Sequence, residues 1–227
     1  MEKKMYDFSF EILKRMYDEG ILKDIMLIGS WSVHFYREYF KSDSYPTAIR
    51  TTDMDFLAPV PFKADYKKDI FKIVEDLGFI QTISGSKGFI DIVHPDLKIE
   101  FLVPERGRGS EKLYPLPQLG VNAQPLRYLD FLIDNAIVLN VDGIKLRLPH
   151  PAAYGLHKFI IFGRRRNKDK KARDLESAIR VSNALIKKKK QKKVRNVFKS
   201  MHEKWRDTVI RNLEKAGEEE IIDILKG

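Results

Sequence analysis

Apolar residues Phe8, Phe10, Ile12, Leu13 and Met16 alternate with charged ones at close to helical spacing, and Gly20 supplies a stop, so the pattern predicts a helix over residues 5–17. The apolar run Ile25, Met26, Leu27, Ile28 is too short for a buried helix and ends at Gly29-Ser30, which predicts a buried strand. Across residues 31–40, Val33, Tyr36 and Phe40 share one side of a second helix, and a polar, Pro-containing loop follows. Residues 53–60 are apolar apart from their acids and are closed by Pro59 and Pro61, as expected of a second strand. Ile70, Phe71, Val74 and Leu77 recur at helical spacing within residues 64–77, where Gly78 ends the run. Three strand-like segments come next, at 79–84, 88–93 and 97–103, separated by the turn sequences SGSKG and HPD.

Residues 104–124 are rich in Gly, Pro and polar side chains and read as a long irregular insertion bordering a site. Segments 135–140 and 144–148, joined by Val141-Asp142-Gly143, predict a β-hairpin. After Pro149 and Pro151 nothing strand-like remains. One helical stripe runs through Leu175, Ala178, Ile179, Ser182, Leu185 and Ile186, and another through Val194, Phe198, Met201, Trp205 and Val209. The expected fold class is therefore α+β: a mixed sheet with flanking helices over residues 1–150, followed by an all-helical lobe over residues 151–227.

With 43% hydrophobic and 33% charged residues the chain can bury a substantial core, which excludes a disordered or low-complexity protein. The absence of cysteine excludes disulfides, thiolate metal sites and cysteine nucleophiles, and fits a reducing compartment. The charged N-terminus lacks the apolar run of a signal peptide, and no later stretch approaches the eighteen or so apolar residues of a membrane span, so a soluble, cytoplasmic protein with no membrane partner is expected. The five histidines are scattered, with no pair spaced for zinc. Charge divides the chain further. Residues 1–150 carry 20 Lys and Arg against 22 Asp and Glu, whereas residues 151–227 carry 22 against 10. A basic helical part beside a nearly neutral one suggests a polyanion held by one lobe and chemistry in the other; a solvated, Lys-rich helix face is the alternative.

Asp53 and Asp55 flank Met54, so on a strand both carboxylates project from one face while Met54 enters the core. Such a pair repels itself unless a cation lies between, and hard magnesium together with substrate phosphate is what it suits. Gly29-Ser30 stands where a strand turns into a helix, where free backbone N–H groups and the helix dipole can bind phosphate. Glu100 is an acid inside the otherwise apolar Leu97-Lys98-Ile99-Glu100-Phe101-Leu102-Val103, and burying it alone would be costly. Asp91, in Phe89-Ile90-Asp91-Ile92-Val93, competes with Glu100 for the role of third acid.

Gly-Ser at a helix start, a strand with Asp-x-Asp and a later strand with a single acid resemble the nucleotidyltransferase superfamily of the DNA polymerase β type. Leu27-Ile28-Gly29-Ser30-Trp31 and Arg50-Thr51-Thr52-Asp53-Met54-Asp55-Phe56-Leu57 are similar to its minimal bacterial members, including toxin-type nucleotidyltransferases. The resemblance to one such bacterial family continues through Glu100-Phe101-Leu102-Val103-Pro104, Pro125-Leu126-Arg127-Tyr128-Leu129-Asp130-Phe131-Leu132, Pro149-His150-Pro151-Ala152-Ala153-Tyr154-Gly155-Leu156-His157-Lys158 and Lys170-Lys171-Ala172-Arg173-Asp174-Leu175, covering residues 25–178. The stretch from Gly29 to Asp53 is longer than in many members.

The resemblance implies a polymerase β-type catalytic domain in residues 1–150 and a basic helical domain in 151–227. It implies two magnesium ions held by Asp53, Asp55 and Glu100, with Glu100 helping to deprotonate the acceptor, and a nucleoside triphosphate such as ATP whose β- and γ-phosphates rest on Gly29 and Ser30. An acceptor hydroxyl would then attack the α-phosphate, releasing pyrophosphate. Lys158, on a helix predicted over residues 152–162, is the cation expected to reach triphosphate from the second lobe, with Lys171 and Arg173 as further candidates that Asp174 can orient. Arg164, Arg165 and Arg166, and the lysines at 187–190, 192 and 193, stand near Phe159, Phe162 and Trp205 in sequence and suit an RNA partner such as tRNA. Nearness to toxin-type members keeps a protein hydroxyl open as acceptor, as in toxin–antitoxin systems, and a small antibiotic is a third choice. A catalytically degenerate nucleotide- or nucleic-acid-binding module is the alternative from another class, against which the retained acids and Gly29-Ser30 speak.

Overall fold

The computed structural model of the protein describes residues 2–42, 45, 52–84, 88–107 and 112–227. Arg50 and Thr51 of the motif, most of the loop before it and the centre of the SGSKG turn lie outside the described residues. Two compact units emerge, Met1–Leu148 and Pro149–Gly227.

The first unit is built on a seven-stranded mixed sheet among the described residues. Helix α1 (Glu2–Asp18) precedes β1 (Met26–Ile28), and α2 (Gly29–Phe40) follows β1 without a break. Strand β2 (Asp53–Leu57) pairs antiparallel with β1 and parallel with β5 (Leu97–Pro104); beyond β5 come β4 (Phe89–His94) and then β3 (Ile80–Ser84), both antiparallel to their neighbours. Alternation explains the central strands. Met54, Phe56, Ile99 and Phe101 are buried on one face, with Phe56 and Phe101 stacked at 5.7 Å, while the residues between them are only half-buried. Ile12, Leu13 and Met16 of α1 and Trp31, Phe35 and Tyr36 of α2 are buried as the helical spacing requires.

Three expectations are corrected. The helix foreseen over residues 64–77 shrinks to α3 (Ile70–Val74) and a 3-10 turn over Glu75–Leu77, because Asp69 caps it, its Oδ1 accepting from Phe71 N at 3.0 Å, and the backbone N–H groups of Lys68 and Ile70 donate instead to Gln118 and Leu119. The irregular insertion at 104–124 contains β6 (Tyr114–Leu116) and β7 (Val121–Leu126), which pair with each other, β7 also lying parallel to the C-terminal half of β5. A tight turn at Leu119-Gly120, with Gly120 at φ +67°, allows that hairpin despite the prolines. Helix α4 (Leu129–Asp134) was not foreseen; the hairpin of β8 (Ala136–Val141) and β9 (Ile144–Pro149) forms a separate two-stranded sheet.

In the second unit, α5 (Pro151–Ile161) is buried almost all round. Gly155 admits α6 (Lys168–Lys187) closely, since a Cβ there would lie 3.2 Å from Ser182 Oγ, and Asn212 Nδ2 donates to Phe159 O at 2.8 Å. The stripe expected to continue from Val194 to Val209 is broken at residues 200–202 into α7 (Gln191–Lys199) and α8 (Glu203–Ala216); His202 Nδ1 accepts from Lys204 N at the start of α8, and α9 (Glu219–Lys226) ends the chain. Described helices include none long and apolar enough to cross a membrane.

Two tests follow. Phe56→Ala removes a fully buried ring and should lower the stability of the first unit by about 3–5 kcal/mol, read from urea unfolding. In the second unit burial, aided by Lys193 and Lys190, holds the His150 pKa down at about 4, and burial, aided by Lys158 and Arg165, holds that of His157 at about 3. Unfolded, both would take up protons near pH 6.5, so the native state binds fewer protons below that pH. Stability should therefore fall as pH drops from about 6.5 toward 4, and His157→Gln should flatten that dependence in thermal unfolding across the same range.

Candidate active site

The acids gather through strand register. Asp55 lies opposite Ile28 on β1 and opposite Glu100 on β5, and Asp53 lies opposite Lys98. On the far side of β5, Ile92 faces Ile99, so one step further along the antiparallel register brings Asp91 to Glu100. Asp91, Glu100 and Asp55 thus form a row across three neighbouring strands, spaced by about 4.8 Å per strand, with Asp53 and Lys98 in the next row. Every one of these side chains points away from the buried face of Met54 and Ile99.

Gly29 closes the row. It follows Ile28 directly and begins α2 at φ +69°, a conformation open to glycine, and a Cβ placed on it would stand 2.5 Å from Asp55 Oδ2. Ile28, the residue before α2, supplies no side-chain cap, and the helix begins beside the carboxylates, where its dipole favours negative charge; Ser30 is exposed and Ser32 Oγ donates back to Gly29 O at 2.8 Å.

Lys98 was not singled out from the sequence. Its ammonium lies 2.8 Å from Asp91 Oδ1 and 2.7 Å from Glu100 Oε1. Burial works against its charge, but the hydrogen bonds and the charges of Asp91 and Glu100 outweigh burial and raise its pKa above the ordinary lysine value. The signal was present: a lysine two positions before Glu100 on one strand must share its face. Among the described residues no three Asp, Glu or His side chains gather closely enough to hold a metal ion. Glu100 Oε1 is engaged by the lysine instead. As a donor set the face still fits hard cations, offering carboxylate oxygens from three adjacent strands, with the Lys98 ammonium standing between two of them.

The cations expected from the helical part are placed in the second unit. Lys158 Nζ donates to Asp174 Oδ1 at 2.5 Å and Arg165 Nε to Asp174 Oδ2 at 2.8 Å, with Lys158 also 5.6 Å from the Tyr154 ring centre. Burial alone would raise the Asp174 pKa, but Lys158 and Arg165 outweigh it and lower the value; the Lys158 pKa is correspondingly raised, Tyr154 and Asp174 overcoming burial. Asp174, expected to orient Lys171 or Arg173, thus holds Lys158 and Arg165. Lys171 is exposed, with its ammonium 5.7 Å from the Phe162 ring centre, and Arg173 is exposed on the same helix.

A family model described as nucleotidyltransferase matches residues 8–203. No curated protein matches the sequence. Among solved structures, an antigenic nucleotidyltransferase-like protein from Paracoccidioides brasiliensis is 13% identical, covers 96% of this chain and 91% of its own, and superposes with a TM-score of 0.54, which marks a shared fold. The antibiotic-resistance factor ANT(2'')-Ia in solution is 15% identical over 88% of this chain and 94% of its own, at a TM-score of 0.47. The same factor in complex with adenylyl-2''-tobramycin gives 15%, 83% and 91%, at 0.45.

Gly29→Ala should displace the Asp55 carboxylate and cost about 1 kcal/mol of stability through backbone strain. Gly20→Ala is the control, since Gly20 has a similar φ of +74° and nothing within 4 Å of an added Cβ. In urea unfolding both variants should lose stability, Gly29→Ala the more, because its Cβ also meets Asp55 Oδ2.

Proposed function

The chain belongs to the nucleotidyltransferase family, and on that premise we propose that it moves a nucleoside monophosphate from a nucleoside triphosphate to a hydroxyl acceptor at the acid-bearing face of its sheet. The observation that carries this reading is the register that sets Asp53, Asp55 and Glu100 on one face beside the start of α2. The catalytic domain is then residues 1–150 and the basic helical domain residues 151–227. Two magnesium ions held by Asp53, Asp55 and Glu100 are the proposed cofactor, supplying positive charge for the triphosphate and the acceptor oxygen.

Each residue has a defined task. Gly29 and Ser30 hold the β- and γ-phosphates through first-turn N–H groups and the Ser30 hydroxyl. Glu100 takes the proton of the acceptor hydroxyl, whose oxygen bonds to the α-phosphorus as the bond to pyrophosphate breaks. Lys158, Lys171 and Arg173 are the phosphate-directed cations of the helical domain; Lys158, Arg165 and Asp174 together retain one positive charge. The retained acids stand against a catalytically degenerate binding module.

For the acceptor we favour RNA, such as tRNA. Residues 163–173 are all exposed and carry Arg164, Arg165, Arg166, Lys168, Lys170, Lys171 and Arg173 against the single acid Asp169. A protein hydroxyl, within a toxin–antitoxin arrangement, is the second acceptor. Incubation with each labelled nucleoside triphosphate, magnesium and an RNA or protein extract tests both, since the labelled macromolecule names the acceptor.

Asp53→Asn and Asp55→Asn should each abolish transfer while leaving urea stability unchanged or raised, because each relieves repulsion among like charges. Glu100→Gln should lower kcat by about 10²–10⁴-fold, and should do so more than Asp91→Asn. Replacing the four lysines at 187–190 with Gln should weaken binding to unrelated RNAs alike, and the logarithmic salt slope should become shallower by about one unit for each phosphate no longer neutralised. Filter binding across a salt series measures both.

A further inference from the structure

Four carboxylates share the acid face, and among the described residues the ammonium of Lys98 stands between two of them. Lys98 approaches the face from the row of Asp53 and reaches forward to the row of Asp91, Glu100 and Asp55. It bonds two carboxylates on different strands, Asp91 on β4 and Glu100 on β5, at nearly equal distances. Asp91 is the more enclosed of the two, its side chain 15% exposed against 35% for Glu100. Desolvation strengthens the first ion pair and solvent weakens the second. Lys98 therefore has one firm partner and one exchangeable partner, and the exchangeable one is the carboxylate assigned above to the reaction.

We propose that Lys98 is a built-in stand-in cation, anchored by Asp91, that occupies Glu100 until a divalent ion takes it over. The inference rests on the reading of the acid face as the metal site. It gives Asp91 a task different from that of a third ligand: Asp91 keeps the ammonium on the face after Glu100 is released, so the displaced charge has a partner to retreat to. Lys98 is a positioning residue. Its ammonium lowers the repulsion that would otherwise separate Glu100 from Asp91, and it does so at the expense of affinity for added metal, because a divalent ion that takes Glu100 Oε1 must displace Lys98 from it.

The test is manganese binding to the full chain without nucleotide, by calorimetry, alongside thermal unfolding with and without the ion. Lys98→Met should bind manganese more tightly, by about tenfold, and should unfold at a lower temperature than the parent in metal-free buffer. Manganese should then raise the Tm of Lys98→Met more than that of the parent, since stabilisation grows with the ratio of ion concentration to Kd. Lys98→Arg, which keeps a cation, should resemble the parent, and Lys98→Gln serves if Lys98→Met does not fold. A purely structural lysine would lower the Tm and leave manganese affinity unchanged. Equal or weaker binding by Lys98→Met or Lys98→Gln overturns the proposal. Binding by the parent that is insensitive to Lys98 but abolished in Asp53→Asn would overturn it alone and leave the proposed function standing. No binding by parent or variants would overturn both.

Discussion

Repulsion between carboxylates on neighbouring strands is the constraint around which the first unit is arranged. Asp55 and Glu100 lie opposite each other in a parallel pair, and Asp91 continues the row. Strand spacing of about 4.8 Å gives them no room to separate within the row. Left alone, such a face would favour a slipped register. The other face opposes slippage: Met54, Phe56, Ile99 and Phe101 are buried there, and a shift of one residue would turn that apolar set outward and the acids inward. The packing of one face thus keeps the charges of the other in place.

The two ends of the row are handled by different means. At the β4 end, Lys98 supplies charge. At the β1 end, the approach of backbone to carboxylate is possible because Gly29 has no side chain and takes a positive φ. The same glycine starts α2, so the N-terminus of that helix and the carboxylate nearest it are positioned by one backbone turn. In the second unit the arrangement of charges is reversed: Asp174 is the single acid between Lys158 and Arg165.

The acid face was legible in the sequence because strand periodicity is two. Asp53 and Asp55 must share a face, and Met54 must lie on the other, whatever surrounds them. Glu100 stood out as an acid in an apolar run, but its setting beside Asp91 depends on β4 pairing with β5, which no local pattern states. Lys98 was overlooked for the related reason that a lysine in a strand reads as an exposed residue until its neighbours across the sheet are known. Strands β6 and β7 were hidden by Pro115, Pro117 and Gly120, whose composition is that of a loop; the pairing with β5 overrides it. Helix α1 and the stripe of α6 were readable because their order is local, whereas the break between α7 and α8 turned on a capping histidine.

The parallel pairing of β2 with β5 has a consequence for how the molecule is made. Residues 53–57 find their partners at 98–102, with α3, β3 and β4 lying between them in the chain. Pairing of that separation is slow, since a long loop must be closed before any contact repays its entropy. A nascent chain can therefore carry β1, α2 and β2 in full and still have no acid row, because β5 has yet to join. The charged face comes into being late, as a property of the finished sheet, and partly assembled chains are spared the self-repulsion that the completed one sustains.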